Sequence, residues 1–384
     1  MSELNELRGE IDAIDAQLTE LFLRRMDVTR RVGEYKQAHG IPVLDPARER
    51  EVLAKKTAQV SDPALRDDVT ALYEGIMGIS RRQQRRLGNE TGQGECAQVL
   101  AALDEARPPL ERPRVLYQGE PGAYADEAAA RFFGEDIPRS HVETWEEVFQ
   151  TLRRGEADYG VVPIENSSTG SISQVYDLLA QYGHYIVGEQ TVKVDHCLAA
   201  PAGTRLEEVA TVYSHEQGLL QCAGYLKGWG WTCIPRLNTA ESALFVARSK
   251  EPGQAAICSP RAARLYGLEI LAHHISDSDS NYTRFVVVSP VMERRAGSDK
   301  VSVLFRLPHR AGSLHELLTV FAVNGLNLLK LESRPILGRS WEYRFFADFS
   351  GDLTAPGMDG ALLELFQTAE QLRVLGNYRS SGEG

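Results

Sequence analysis

The residues Leu4, Leu7, Ile11, Ile14, Leu18, Leu21, Val28, Val32 and Tyr35 recur at alternating spacings of three and four, with no proline in the run. That period fits one face of an α-helix and no strand, so the chain opens with a single helix of about nine turns. Arg25 is the one break, at a position where the row calls for an apolar side chain. A charge there needs a partner once the face is covered. Asp45-Pro46 and Asp62-Pro63 each read as an N-cap followed by proline at the first helical position, so two further helices start there. Residues 1–90 are expected to be three helices without a strand.

Residues 91–113 are rich in Gly, Glu, Ala and Pro with weak periodicity and read as a linker carrying at most one short helix. From Arg114 the pattern changes to short β-type runs alternating with helical stretches: Val115 to Gln118, Gly160 to Ile164, Thr191 to Leu198, Ala255 to Ser259 and Arg284 to Ser289. Such alternation argues for α/β sheets over residues 114–293, with ligands at the C-terminal ends of the strands. A second junction, containing Pro290 and Gly297, leads into residues 299–378. There the order is strand (Val301 to Leu307), helix (Ser313 to Val323), strand (Leu326 to Glu332), strand (Trp341 to Phe349), helix (Met358 to Gln371) and a last strand, a βαββαβ unit.

The 42 Lys plus Arg against 53 Asp plus Glu leave a net charge of -11. That balance opposes general attraction to nucleic acid or anionic membranes, and implies that an anionic ligand is held by local cations. No apolar run reaches the roughly 18 to 20 residues of a membrane span, and the chain reads as cytoplasmic. Cys96, Cys197, Cys222, Cys233 and Cys258 are scattered, without a Cys-x-x-Cys pair, and read as reduced, mostly buried thiols. His273 and His274 lack an acidic cluster, so no metal is expected.

On the first helix Arg25 and Lys36 are eleven residues apart, so they share a face about 16 Å apart. Arg8 lies about 26 Å from Arg25 along the axis and faces elsewhere. One straight helix cannot bring all three to a small ligand, so Arg8 is either structural or supplied by a second protomer. Leu72, Ile76, Ser80 and Gln84 follow at spacing four, an apolar row turning polar, which suggests a lined cavity. Asp45 and Glu49 open the second helix, where carboxylates suit the N-terminal dipole.

Taken together, Arg8, Arg25, Lys36, Asp45, Glu49, Ser80 and Gln84 resemble the all-helical class of chorismate mutase. The resemblance implies a domain-swapped homodimer in which Arg8 crosses into the partner's site. It also implies a pericyclic rearrangement of chorismate to prephenate that needs no cofactor. Arginines would bind the two carboxylates, Glu49 the substrate hydroxyl, and Lys36 and Gln84 the ether oxygen as its bond breaks.

In the middle region an apolar strand, Gly160 to Ile164, delivers Glu165 and Asn166, and the hydroxyl-rich turn Ser167-Ser168-Thr169 leads into a helix. The free N–H groups of a helix start can hold a carboxylate. With Gly119 to Tyr124, Ser214-His215-Glu216-Gln217 and Asn281-Tyr282-Thr283-Arg284-Phe285, this stretch resembles prephenate dehydratase. The resemblance implies two α/β subdomains like those of periplasmic binding proteins, a site in the cleft between them, and Thr283 as the key hydroxyl, assisted by Asn166 and Gln217. Ser167 is a further candidate for substrate binding. Glu165 on its apolar strand is expected to have a raised pKa and to act as proton source, or else to orient Asn166. Arg284 is either a carboxylate anchor or a structural ion-pair member. His215 follows a strand end and reads either as a base or as a cap.

The βαββαβ order with Gly312-Ser313-Leu314 and Glu332-Ser333-Arg334-Pro335 resembles the ferredoxin-like ACT regulatory domain. In that family the two motifs line a phenylalanine site between paired domains, which implies feedback inhibition by phenylalanine. The whole chain thus reads as a multidomain enzyme: a three-helix chorismate mutase domain, an α/β dehydratase domain and an α+β ACT domain, assembled as a homodimer or a larger homo-oligomer. A mutase on the same chain supplies prephenate locally, which favours it over arogenate as the second substrate. A non-catalytic amino-acid sensor is the rival reading, opposed by polar residues of catalytic type in three separate motifs.

Overall fold

The computed structural model describes residues 3–87, 93–249, 251–336, 338 and 341–382. The N-terminal region is helical among these residues: α1 (Glu3–Ala38), α2 (Pro46–Thr57), a 3-10 turn (Pro63–Leu65), α3 (Arg66–Leu87) and α4 (Gln93–Asp104). Asp45 caps α2 by accepting from Arg48 N–H at 3.0 Å. Asp62 accepts from Ala64 N–H at 2.9 Å, but the helix it starts begins as the 3-10 turn.

The middle region follows as β1 (Val115–Gln118), α5 (Tyr124–Phe133), β2 (Arg139–Val142), α6 (Trp145–Arg153), β3 (Tyr159–Asn166), β4 (Gly170–Ser171), α7 (Ser173–Tyr182), β5 (Tyr185–Lys193), β6 (Cys197–Ala200), β7 (Thr211–His215), α8 (Glu216–Gln221), α9 (Ala223–Lys227), β8 (Thr232–Arg236), α10 (Thr239–Ser249), β9 (Gln254–Cys258), α11 (Pro260–Leu265), β10 (Glu269–Ala272) and β11 (Tyr282–Ser289). The rest is β12 (Lys300–Arg306), α12 (Ser313–Val323), β13 (Leu328–Pro335), β14 (Tyr343–Ser350), α13 (Met358–Thr368) and β15 (Gln371–Tyr378).

Three sheets form: β2-β1-β3-β11-β5 with β4 beside β3, then β10-β6-β9-β7-β8, and finally β13-β14-β12-β15. The single run expected from Thr191 to Leu198 is two strands, β5 and β6, because the chain leaves the first sheet for the second at Val194–His196. It returns as β11, which inserts between β3 and β5 of the first sheet. That double crossing sets residues far apart in sequence side by side. The strand expected from Leu326 to Glu332 runs as β13 to Pro335, so the whole Glu332–Pro335 motif lies inside it.

The chain divides into two compact units. One holds α1 to α3 and the first half of α4 with Pro308–Val320 and Asp359–Glu370, and the other holds the remaining residues, including the three sheets seen among the described residues. In the second unit one core joins Phe149, Leu152, Val162, Val175, Leu179 and Val286 to Phe346, Leu375 and Tyr378 of the third sheet. The third sheet therefore shares the hydrophobic interior of the first, and packing of this kind holds it in place. A β-carbon on Gly376 would overlap the Ile186 carbonyl, so only glycine permits β15 to lie this close to β5.

In the first unit α1 buries only Thr29 and Gly33 among its described residues. The apolar row that defined the helix remains between 42% and 59% exposed from Leu4 to Tyr35. Such a continuous apolar face is far from the scattered single residues of an ordinary surface.

Candidate functional site

Register decides which side chains meet between β3 and β11. The pairs are Asn166↔Thr283, Glu165↔Arg284 and then Pro163↔Phe285, so Ile164 is an extra residue, a β-bulge. Consecutive strand residues point to opposite faces. Pro163, Asn166, Thr283 and Phe285 line a crevice of ≈ 410 Å³ between the first and second sheets. Glu165 and Arg284 do not line it, and pair with each other on the far side at 3.1 Å.

Asn166 organises the crevice wall. Its amide nitrogen donates to Thr283 Oγ1 at 2.9 Å and to Asn281 Oδ1 at 2.8 Å. Its oxygen accepts from the N–H groups of Ser168 at 2.9 Å and Thr169 at 3.1 Å. Because Thr283 Oγ1 accepts from Asn166, its own proton is free to point into the crevice. Gln217, at the start of α8, comes from the opposite wall. His215 accepts from Gln217 N–H at 3.2 Å and so caps α8 while lining the same space. Ser167 does not line it: its hydroxyl donates to Ser280 C=O at 2.8 Å and accepts from Tyr282 N–H at 2.9 Å, stapling the turn to β11.

Among the described residues the crevice lining contains no Lys, Arg, Asp or Glu. The expectation that local cations hold an anionic ligand is therefore corrected for this site. Its titratable members are Tyr124, His196 and His215. Burial holds the Tyr124 hydroxyl well above its ordinary value and the His196 imidazole below its own, so both stay neutral. The starts of two helices also reach the lining, that of α5 with Asp126 and Glu127 in its first turn. Ala123 and Ile172 stand at the N-cap positions of α5 and α7, make no side-chain cap bond, and line the crevice. Uncapped helix starts leave N–H donors and the positive end of the dipole for an anion.

Among the helices, Arg25 Nη1 donates to Ser80 Oγ at 2.5 Å, which supplies the partner its place in the apolar row demanded. Burial lowers the Arg25 pKa, yet the guanidinium remains charged. Lys36 and Gln84 line one cavity of ≈ 360 Å³ together with Gly33 and Gln367. Lys36 Nζ donates to Val43 C=O at 2.7 Å, and the buried side-chain carbonyl of Gln84 has no hydrogen-bond partner. Arg25 does not line that cavity. Asp45 is engaged as the cap of α2, and Glu49 pairs with Arg81. Arg81 also pairs with Glu316 at 2.8 Å, and these three residues line a separate cavity of ≈ 390 Å³ with Gly312. Arg8 is exposed on α1.

Residues 7–85 match the family model of chorismate mutase type II, and residues 115–293 match that of prephenate dehydratase. The bifunctional chorismate mutase/prephenate dehydratase of Aquifex aeolicus (strain VF5) is 33% identical over 381 residues, 98% of this chain and 98% of that protein. This chain belongs to the bifunctional chorismate mutase/prephenate dehydratase family. Among solved structures, prephenate dehydratase from Arthrobacter aurescens in complex with L-Phe is 31% identical with a TM-score of 0.63, covering 69% of this chain and 89% of that one. A quorum-quenching acylase has the same identity and TM-score, covering 70% of this chain and 98% of that one.

For a chorismate mutase/prephenate dehydratase, the position of Glu165 changes its part. Burial pushes the Glu165 carboxyl up, but Lys330 at 2.8 Å and Arg284 outweigh it, so its pKa lies below the ordinary value rather than above. A carboxylate held ionised and outside the crevice is no reservoir of protons. Arg284 likewise does not line the crevice and pairs with Glu165, Glu189 and Asp348. Sequence reasoning passed over Tyr124, His196 and Gln221, where His196 stands 3.1 Å from Tyr124 Oη and 3.1 Å from Gln221 Oε1. Tyr124 lay in a motif already noted, but no spacing joins it to the other two. Arg81 was hidden among Arg82, Arg85 and Arg86.

Gly33 offers a sharp test of whether the cavity of Lys36 and Gln84 serves the mutase reaction. A β-carbon there would come within 2.9 Å of Gln84 Cγ and 3.1 Å of Leu87 Cδ1, closer than atoms pack. Alanine gains about 1 kcal/mol of helix propensity over glycine, yet it must push Gln84 aside. Gly33→Ala is expected to slow mutase turnover about 10- to 100-fold, as small misplacements do, with dehydratase turnover unchanged when both are assayed on one preparation.

Proposed function

We propose that the chain rearranges chorismate to prephenate on its N-terminal helices, converts prephenate to phenylpyruvate in the crevice, and responds to phenylalanine through a C-terminal ACT domain. The observation that carries this reading is the Asn166–Thr283 hydrogen bond, which turns a threonine proton toward a crevice without charged side chains. Relatives sharing its full length support the pairing of the two activities on one chain.

In the mutase step no bond to the protein forms. Arg25, which stands outside the Lys36–Gln84 cavity against Ser80, leaves that hydroxyl to meet a substrate carboxylate. Lys36 and Gln84 direct hydrogen-bond donors at the ether oxygen, where negative charge grows as the C–O bond breaks. Lys36 exchanges its bond to the Val43 carbonyl for this one. In the dehydratase step carbon dioxide and hydroxide leave together and the ring becomes aromatic. Thr283 donates a hydrogen bond to the departing hydroxyl, Asn166 holds Thr283 in place, and Gln217 closes from the opposite wall. The uncapped starts of α5 and α7 receive the substrate's carboxylates, the part first assigned to cations.

The exposed apolar row of α1 supports a homodimer, because a second copy of the helix would cover it and bring Arg8 to a site its own chain cannot reach. Leu18→Glu, a charge placed in that row, should shift the protein to monomer in sedimentation velocity and remove most mutase activity. Dehydratase activity should persist. The βαββαβ order with strand order β13-β14-β12-β15 supports the ACT reading. A cytoplasmic setting is supported by five free cysteines and by the lack, among described residues, of a helix long and apolar enough to cross a membrane.

One coupled assay tests the whole. The purified full chain should convert chorismate to phenylpyruvate, and phenylalanine should lower the rate. No phenylpyruvate from either chorismate or prephenate would overturn the reading, and a preference for arogenate would reassign the second substrate.

A further inference from the structure

The residues behind the catalytic pair Asn166 and Thr283 are their chain neighbours, Glu165 and Arg284, on the far face of β3 and β11. Glu165 is gripped from two sides: Oε2 meets Arg284 at 3.1 Å and Oε1 meets Lys330 Nζ at 2.8 Å. Lys330 belongs to β13 of the third sheet, outside the sequence matched by the dehydratase family model. Its ammonium also donates to Ser171 Oγ at 2.9 Å, and that hydroxyl donates to Glu332 Oε2 at 2.8 Å. Two residues further along the same face of β13, Arg334 donates to Ser173 Oγ at 2.8 Å, at the start of α7.

One face of β13 thus holds both ends of the turn that carries Asn166, at Glu165 and at Ser171 and Ser173, where the helix opens whose uncapped start lines the crevice. The Lys330 and Arg284 side chains are 14% and 15% exposed and that of Glu165 is 37% exposed, so these ion pairs are partly shielded from solvent. The bulge at Ile164 makes the support necessary. Only with the extra residue in that place do Asn166 and Thr283 fall opposite each other, and a bulge interrupts the ladder that would otherwise hold the register. The ion pair clamps β3 one residue beyond the bulge.

We propose that Lys330 is a positioning residue of the dehydratase reaction: acting through Glu165, it holds Asn166 against Thr283 and makes turnover depend on the position of β13. The inference rests on the dehydratase reading of the crevice and adds to it a route by which the C-terminal sheet reaches the chemistry.

The test uses the full chain and four variants: Lys330→Met, Lys330→Arg, Glu165→Gln, and the Lys330→Met/Glu165→Gln double variant. Lys330→Met should lower dehydratase kcat about 10- to 100-fold, the scale of a small misplacement, with KM moved less than about threefold. Mutase rate should be unchanged. Lys330→Arg should recover most of the loss. The double variant should be no slower than the slower single one, because both remove the same contact. If Lys330→Met does not fold, Lys330→Gln removes the charge while keeping a donor for Ser171, and the same outcomes are read from it. An unchanged kcat, an arginine variant as slow as the methionine one, or additive losses in the double variant would each overturn the inference. Absence of dehydratase activity in the unaltered chain would instead sink the functional reading beneath it.

Discussion

Thr283→Val should leave a protein that still rearranges chorismate but turns over prephenate about two to three orders of magnitude more slowly, the usual cost of removing one preorganised donor. Valine keeps the shape and branching of threonine and suits its place in β11, so the fold survives. Asn166 loses one acceptor but keeps Asn281 Oδ1 at 2.8 Å, and the stability cost is about 1 kcal/mol. What disappears is the hydroxyl proton aimed into the crevice. Among the described residues no charged side chain lines the crevice to replace it. Steady-state formation of phenylpyruvate from prephenate measures the effect. A rate within tenfold of the unaltered chain would show that the hydroxyl is not the donor.

Lys36→Met should do the converse, slowing mutase turnover by about two to three orders of magnitude with dehydratase turnover intact. Methionine retains the apolar stem and removes only the ammonium. The cavity keeps its shape, and Gln84 is left as the other donor at the ether oxygen. The loss should fall on kcat more than on KM, because the charge being stabilised exists mainly in the transition state. Equal weakening of kcat and substrate binding would move Lys36 into the ground-state binding set.

The two variants together separate the activities on a single polypeptide. They also locate the difference between the sites. On the proposed reading one uses a full positive charge inside a helical cavity, and the other a neutral hydroxyl backed by an amide and by helix starts.

Much of this was legible without coordinates. The period of α1 and the cap at Asp45 depend on residues within a few positions of one another, where spacing alone dictates geometry, while Thr283 and Asn166 were singled out by the resemblance of their motifs to prephenate dehydratase. Arg25 announced its need for a partner by interrupting an apolar row, and Ser80 answers it. The extent of β5 and β6 was misread because a run of strand-forming residues does not show where the chain changes sheets.

Long-range register was the part only the tertiary structure could decide. Glu165 stands on an apolar strand, which by itself argues for a raised pKa. The fold reverses the sign by bringing Arg284 and Lys330 to it from strands distant in sequence. The bulge at Ile164 sends Asn166 to the crevice and Glu165 to the opposite face, a choice no local pattern encodes. Local periodicity and capping come from the geometry of neighbouring residues, so the amino-acid order determined the elements and most reactive groups. Which face each group presents, and which charge stands opposite it, follows from pairing between distant strands, and that only the folded chain settles.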